Sequence, residues 1–126
     1  MLNAFGYYGK AMSTLSKQQQ QPVPPLTWRA AADGSTLTVR FSGALDIAVL
    51  TECVTGLAEP LAGPERTVEF DVSELTFADS SALRFLLDTK QQCEAESKAF
   101  RLVGESRALD RLLEVSGLSD WFMDGH

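Results

Sequence analysis

Residues 67–87 read TVEFDVSELTFADSSALRFLL and change from a strand pattern to a helix pattern within one short stretch. The run Thr67–Val72 is rich in the β-branched and aromatic residues that strands favour. The run Ala82–Leu87 opens a helix whose leucines share one face. Between the two runs lies the polar tripeptide Asp79-Ser80-Ser81, which predicts a strand-to-helix junction at this point.

This tripeptide has two physical roles open to it. Its side-chain oxygens can accept hydrogen bonds from the N–H groups of the first helical turn, which have no partner inside the helix. A phosphate group is also favoured there, because the helix dipole leaves partial positive charge at the N-terminus. We therefore expect a structural cap, and we assign that role to Ser80. Asp79 is either a cap as well or a group that orients the serine hydroxyl, and these two roles are compatible. We take Ser81 as the candidate for a chemical switch.

The segment ahead of the junction predicts a β-hairpin. Leu26–Ala31 and Thr36–Phe41 both read as strands, and in the second of them apolar and polar residues alternate. The Asp33-Gly34 pair between them is a turn signal. Ser42-Gly43 is expected to end the second strand.

Helices and strands alternate in the rest of the chain. Asp46 is a candidate cap for a helix that Pro60 is expected to end. After the junction, Phe100–Val103 reads as a strand and Glu105–Val115 as a helix that Gly117 stops. Such alternation implies crossover connections between parallel strands, whereas the hairpin is antiparallel. The predicted fold class is therefore α/β, with a small mixed β-sheet of four or five strands covered by amphipathic helices.

The composition is that of a single soluble domain. The chain has 126 residues, of which 44% are hydrophobic, and this is enough for a core. The formal net charge of −6 is the opposite of a basic nucleic-acid footprint. No stretch reads as a membrane span or as a signal peptide. We therefore expect a cytoplasmic protein that binds neither nucleic acid nor a membrane.

The first 25 residues differ in character from the rest. Lys17–Pro25 is a glutamine run followed by a proline-rich stretch, and such a segment cannot bury much apolar surface. We therefore expect a flexible N-terminal tail over residues 1–25 and one folded domain over residues 26–126.

Three pieces of the sequence together resemble the core of STAS domains, the family that includes the bacterial anti-sigma factor antagonists. Val68–Leu83 resembles the family's strand, short aromatic loop and Asp-Ser-Ser/Thr-Gly-Leu motif. Ser42–Asp46 is similar to its Gly-Glu-Leu-Asp turn, and Leu112–Leu118 to its late helix and glycine turn. The resemblance covers about residues 26–124 and implies a STAS-like fold.

The resemblance also implies a binding switch that regulates transcription. Antagonists of this family bind an anti-sigma factor and thereby release a sigma factor. The anti-sigma factor often has a histidine-kinase-like ATPase fold and acts as a serine kinase on the second hydroxyl of the motif, which is Ser81 here. Phosphorylation separates the two proteins, and a serine phosphatase restores binding. The implied partner-binding residues are Asp46, Asp79, Ser80, Ser81, Ala82 and Arg84.

Two positions depart from the family pattern. Ala82 stands where glycine is usual, and a methyl group there is expected to hinder close approach of a partner's backbone. Ala44 stands where glutamate is common, so one acidic group near the site is missing. Both departures bear on how efficiently Ser81 is phosphorylated, and neither threatens the fold.

The two cysteines, Cys53 and Cys93, are expected on apolar helix faces. Burial as small hydrophobic residues is the simpler interpretation. The alternative hypothesis is a redox pair, which requires that the two Cα atoms lie within about 7 Å of each other.

Catalysis by this chain is not indicated. Its one histidine, His126, is the last residue and a poor candidate for a catalytic triad. The sequence has no spacing typical of metal ligands and no phosphate-binding glycine loop. We therefore expect no enzyme activity, no metal and no cofactor. Two other functions stay open: an unphosphorylated STAS docking module of a sensory complex or a lipid transport system, and a nucleotide-binding STAS domain.

Overall fold

A computed structural model of the chain describes residues 5–10 and 25–119, with side chains described for residues 25–119. Within these residues the chain forms five strands and three helices. In chain order they are β1 (Phe5–Lys10), β2 (Thr27–Asp33), β3 (Thr36–Leu45), α1 (Ile47–Leu61), β4 (Thr67–Ala78), α2 (Ser80–Ala95), β5 (Ala99–Val103) and α3 (Arg107–Ser116).

The strands form one mixed sheet in the order β1-β2-β3-β4-β5. β2 and β3 are antiparallel and joined by a tight hairpin, in which Asp33 opposes Thr36 and Gly34 has a left-handed φ of 64°. β3 pairs parallel with β4, and β4 parallel with β5, with α1 and α2 as the crossovers. The predicted mixed α/β sheet covered by helices is confirmed.

Aromatic side chains hold α2 against the centre of the sheet. The ring of Phe70 on β4 lies 4.9 Å from Phe41 on β3 and 5.0 Å from Phe100 on β5, measured between ring centroids. The ring of Phe85 on α2 stacks on Phe70 at 5.8 Å. Burying each of these rings contributes roughly 2 kcal/mol. Packing at Phe85 therefore sets where the N-terminus of α2 lies.

α1 approaches the sheet closely at Gly56. A Cβ atom built at this position would lie 2.7 Å from the indole ring of Trp28 on β2. Trp28 is itself buried, with 4% of its surface exposed, so the ring is held in place by the surrounding core. α1 can therefore lie flat on Trp28 because residue 56 carries no side chain.

Two strands are longer than predicted. The expected end of β3 at Ser42-Gly43 is wrong, since β3 continues to Leu45, and β4 continues past Val72 to Ala78. The added residues of β3 pair with the added residues of β4. This pairing contains two register shifts, and Gly43 adopts a φ of 102° at one of them. Leu45 thus lies opposite Ala78, and this pairing brings the starts of α1 and α2 together.

Two of the predicted helix-end signals are confirmed, at the start of α1 and at the end of α3. Asp46 caps α1, and Gly117 ends α3 with a left-handed φ of 77°. The prediction that Pro60 ends α1 is wrong, because Pro60 lies inside the last turn and the helix ends at Leu61. That turn still closes, since the N–H of Ala62 donates to carbonyl oxygens of the preceding turn.

Residues 5–10 also differ from the prediction. The sequence places them in a flexible tail, but the structure pairs them as β1 with β2, antiparallel, with Lys10 opposite Thr27. An added strand satisfies the backbone N–H and C=O groups that an uncovered sheet edge leaves unpaired. The remainder of the predicted tail up to residue 24 lies outside the described residues, and the domain boundary near residue 26 stays a prediction.

Candidate functional site

The carboxylate of Asp79 holds the first turns of two helices. Its Oδ1 accepts hydrogen bonds from the backbone N–H groups of Ser81 (2.9 Å) and Ala82 (3.2 Å), which caps α2. Its Oδ2 accepts a hydrogen bond from the N–H of Ile47, the first residue of α1, at 3.3 Å. One side chain thus ties the two helix N-termini to each other.

Asp79, and not Ser80, is the cap at the strand-to-helix junction. A cap residue comes before the helix and has extended backbone angles, and Asp79 has φ −111° and ψ −173°. Ser80 is already the first helical residue and is exposed, so the prediction that it caps α2 is wrong. Ser81 is partly exposed in the same turn. Both serines therefore lie where the helix dipole places partial positive charge.

A second carboxylate, that of Asp46, stands at the start of α1. Its Oδ1 accepts a hydrogen bond from the N–H of Ala48 at 3.0 Å. Asp46 and Asp79 therefore bond to consecutive N–H groups, those of Ala48 and Ile47, although they lie far apart in the sequence. Neither helix has an acidic residue of its own in its first turn, so these two caps supply the negative charge that helix N-termini favour.

Both positions that depart from the family pattern are buried. Ala82 is fully buried in the hydrophobic core, and Ala44 is 7% exposed. Because a buried methyl group contacts no partner, the expected hindrance at Ala82 does not follow from its side chain. These alanines fill core space beneath the site.

Arg84 lies one turn further along α2. Its side chain is 78% exposed, and its Nε is 3.4 Å from Oδ1 of Asp88. An exposed ion pair of this kind contributes little to stability. The guanidinium group is therefore accessible at the surface, one helical turn from Ser81.

Sequence reasoning missed two exposed apolar side chains at this end of the molecule. Ile47 is 72% exposed and Phe77 is 45% exposed. Ile47 donates its N–H to Asp79, and Phe77 precedes Asp79 by two residues. The sequence carried one signal for the exposure of Ile47. This residue directly follows the cap Asp46 and comes before the first residues of α1 that face the core. Exposed apolar groups beside polar ones are typical of interaction surfaces.

Both cysteines are free and buried, as the simpler interpretation predicts. Burial raises the pKa of Cys53 from 9.0 to about 12. Burial also raises the pKa of Cys93, although the ammonium group of Lys98 acts in the opposite direction. Thiols react as thiolates, so this burial disfavours oxidation. The redox pair stays a prediction.

The described residues, 5–10 and 25–119, hold no group of three or more His, Cys, Asp or Glu side chains that could bind a metal ion. None of their helices combines the length and the apolar character needed to cross a bilayer. The end of the molecule formed by the N-termini of α1 and α2 offers carboxylates, serines and exposed apolar side chains. Such a mixture is suited to protein contact.

Comparison with known families identifies the family to which the chain belongs. A family model described as "Mlab, STAS domain" matches residues 28–124, which is most of the chain. The chain belongs to the STAS domain family, which confirms the resemblance found in the sequence. It is 37% identical over 54 residues to the intermembrane phospholipid transport system binding protein MlaB of Haemophilus influenzae. That match covers 43% of this chain and spans about half, 51%, of the length of MlaB.

Solved structures of anti-sigma factor antagonists share the fold. An antagonist from Mycobacterium paratuberculosis superposes with a TM-score of 0.69 at 22% identity, over 77% of this chain and 82% of that one. The antagonist SpoIIAA in its unphosphorylated form gives 0.65 at 22% identity, over 75% and 84%. The phosphorylated form of SpoIIAA from Bacillus gives 0.60 at 22% identity, over 75% and 86%. At this identity the likeness establishes the architecture.

Proposed function

We propose that this chain is an anti-sigma factor antagonist, a protein-binding module without catalytic activity that is switched off by phosphorylation at Ser81. The observation that carries the proposal is the position of Ser81. It is partly exposed in the first turn of α2, and its N–H is held by the carboxylate of Asp79. The shared fold with antagonists, one of them solved in a phosphorylated form, supports the proposal.

The electrostatics of this turn explain how one phosphate can act as a switch. Phosphorylation adds about −1.5 to −2 charges, next to the carboxylate of Asp79 and at the same end as Asp46. In the isolated protein, water and the N-terminus of α2 stabilise that charge. In an interface fitted to a neutral hydroxyl, the phosphate loses its hydration and is repelled by acidic groups. Binding is lost and the fold is kept.

The proposed partner is a cytoplasmic anti-sigma factor with a histidine-kinase-like ATPase fold, which phosphorylates Ser81. A serine phosphatase removes the phosphate, and the resulting complex frees a bacterial sigma factor for transcription. The proposed contacts are made by the side chains of Asp46, Asp79, Ser80, Ser81 and Arg84. Ala82 contributes through its backbone only, because its side chain is buried.

A second candidate function is favoured by a different observation. The chain is 37% identical over 54 residues to a phospholipid transport binding protein, and its family model carries the MlaB description. In that case the same end of the molecule would dock on a component of a lipid transport system, and Ser81 would stay unmodified. The two functions share a docking surface and differ in partner and in phosphorylation.

One experiment separates the two. Purified protein is incubated with labelled ATP and, in turn, with each histidine-kinase-like anti-sigma factor and each lipid-transport ATPase of the source organism. We expect label only with an anti-sigma factor, mapped to Ser81 by peptide mass spectrometry. Ser81→Ala should bind the partner without taking up label, and Ser81→Glu should not bind. Ser35→Ala, which removes an exposed hydroxyl group in the turn between β2 and β3, is the matched control and should be labelled normally.

The opposite pattern would change the assignment. Stable binding to a transport ATPase without label, together with no binding to any anti-sigma factor, would exclude the first proposal in favour of the second. Unfolding of Ser81→Glu, seen as a large fall in Tm, would mean that Ser81 is a structural residue.

A further inference from the structure

A groove runs between α1 and α2, outside the site described above. Its volume is about 240 Å³. The buried side chains of Leu57 and Phe85 form its floor. The side chain of Val54 stands in its wall and is 49% exposed. The groove thus presents apolar surface to solvent.

The apolar residues of the α1 wall are spaced for contact with another helix. Leu50, Val54, Leu57 and Leu61 recur every three or four residues and all line the groove. At a rise of about 1.5 Å per residue, this row is about 16 Å long and can contact about three turns of a helix. A helix that lies in such a groove places its own apolar residues at the same periodicity.

The groove is electrically neutral on an acidic protein. The charged groups in its lining are Arg84 and Asp88 on α2, and they pair with each other. The chain as a whole has a formal net charge of −6. A neutral apolar strip on a charged surface fits the apolar face of an amphipathic segment and does not select for a strongly basic or acidic one.

The groove is continuous with the proposed docking surface, which is the end of the molecule formed by the N-termini of α1 and α2. Leu50, which lines it, follows the exposed Ile47 by one turn of α1. Arg84, which also lines it, follows Ser81 by one turn of α2. A partner that covers Ser81 therefore reaches the mouth of the groove without leaving the surface of the domain.

We propose that the partner that docks at Ser81 inserts an amphipathic α-helix into the groove between α1 and α2. This inference rests on the proposed docking function and adds the chemical form of the partner's contact. The helix contributes apolar side chains at positions i, i+3 or i+4, and i+7, which cover Val54 and Leu50. Ser81 then controls whether the complex forms, and the groove provides apolar area that stabilises it.

The test uses whichever anti-sigma factor or transport ATPase binds the wild-type chain. Val54→Glu places a charge in the groove, while Val115→Glu makes the same change at a valine that is 81% exposed on α3. We expect Val54→Glu to weaken binding about tenfold or more, measured by calorimetry, and Val115→Glu to bind within about twofold of wild type. Tm should be unchanged in both, and Ala58→Glu, at another exposed lining residue, replaces Val54→Glu if that variant unfolds.

A photo-crosslinking residue at position 54 then identifies what lies in the groove. Crosslinks to a partner segment with helical apolar spacing support the inference. If Val54→Glu and Ala58→Glu bind normally while Ser81→Glu does not, the groove inference is overturned and the docking function stands. If crosslinks join two copies of this chain, a second copy is the occupant and the inference is likewise overturned. If no candidate binds the wild-type chain, the docking function fails, and the inference fails with it.

Discussion

Asp79 is a single side chain that serves two helices. Its two carboxylate oxygens bond to N–H groups of Ser81 and Ala82 in α2 and of Ile47 in α1. One carboxylate oxygen caps α2 and the other bonds to α1, so the geometry of the proposed docking surface depends on this residue. A neighbouring cap, Asp46, serves α1 alone.

Replacing Asp79 should therefore cost more than replacing Asp46. We expect Asp79→Ala to lower the free energy of unfolding by about 2 kcal/mol and Asp46→Ala by about 1 kcal/mol, since only the first releases N–H groups of two helices. Urea denaturation of the two variants and the wild type measures both losses. Equal losses would mean that the bond from Asp79 to Ile47 adds nothing.

The buried thiol of Cys53 makes stability depend on alkaline pH. Its pKa is raised from 9.0 to about 12 in the folded protein, so the folded state keeps its proton where the unfolded state loses it. The stabilisation from burying the neutral thiol is therefore complete below the unfolded pKa and is lost as pH rises towards the folded one. The wild type should lose stability relative to Cys53→Ala between about pH 9 and pH 11, by up to about 1.4 kcal/mol per unit.

Urea denaturation of both proteins at several pH values measures this difference. The folded wild type at pH 8 should also resist a thiol reagent until it is unfolded. A difference in stability that does not change with pH, or rapid labelling of the folded protein mapped to Cys53 and not to Cys93 by peptide mass spectrometry, would show that Cys53 is accessible.

The C-terminal end of α1 depends on a lysine from another part of the chain. Lys98, just before β5, donates from its Nζ to the carbonyl oxygens of Leu61 (2.7 Å) and Gly63 (2.8 Å). α1 has no basic residue in its own last turn, so Lys98 supplies the positive charge that helix C-termini favour. Its side chain is only 10% exposed.

Loss of this ammonium group should destabilise the fold. We expect Lys98→Met to lower the free energy of unfolding by about 2 kcal/mol, because two partly buried carbonyl groups lose a charged donor. Arg84→Met, which removes an exposed ion pair on α2, should cost less than about 0.5 kcal/mol. Thermal and urea unfolding measure both variants. Similar losses would mean that water replaces the Lys98 ammonium without cost.

Within the whole sheet, β1 covers the outer edge of β2. β1 pairs with β2 along its length. A shortened chain that starts at Met12 lacks β1 and would therefore leave that edge exposed. We expect this shortened protein to be less stable by at least about 1 kcal/mol and to self-associate, since an open edge pairs with other strands. Urea denaturation and size-exclusion chromatography against the full chain measure both effects. If the shortened protein is monomeric and as stable as the full chain, residues 1–11 do not stabilise the sheet, and the prediction of a flexible tail holds for them.

The elements could be predicted wherever neighbouring residues encode them. The hairpin at Asp33-Gly34, the cap at Asp46, the stop at Gly117 and the burial of Cys53 all follow from local chemistry or helical periodicity, and the structure has each of them. The polar junction at residues 79–81 was likewise visible. Both Asp79 and Ser80 were candidate caps, and the structure has only Asp79 in that role. The sequence did not decide between them, because it does not reveal which residue of a polar run enters the helix first.

The sequence by itself determined the family, the order of strands and helices from β2 to α3, and the serines that stand at the head of α2. The tertiary structure decided how the site is assembled. The register shifts that carry β3 and β4 on to Leu45 and Ala78 bring Asp79 to the N–H of Ile47, and the packing of α1 on Trp28 leaves a groove beside α2. These features depend on contacts between residues far apart in the chain. Local sequence patterns carry no information about the energies of those contacts.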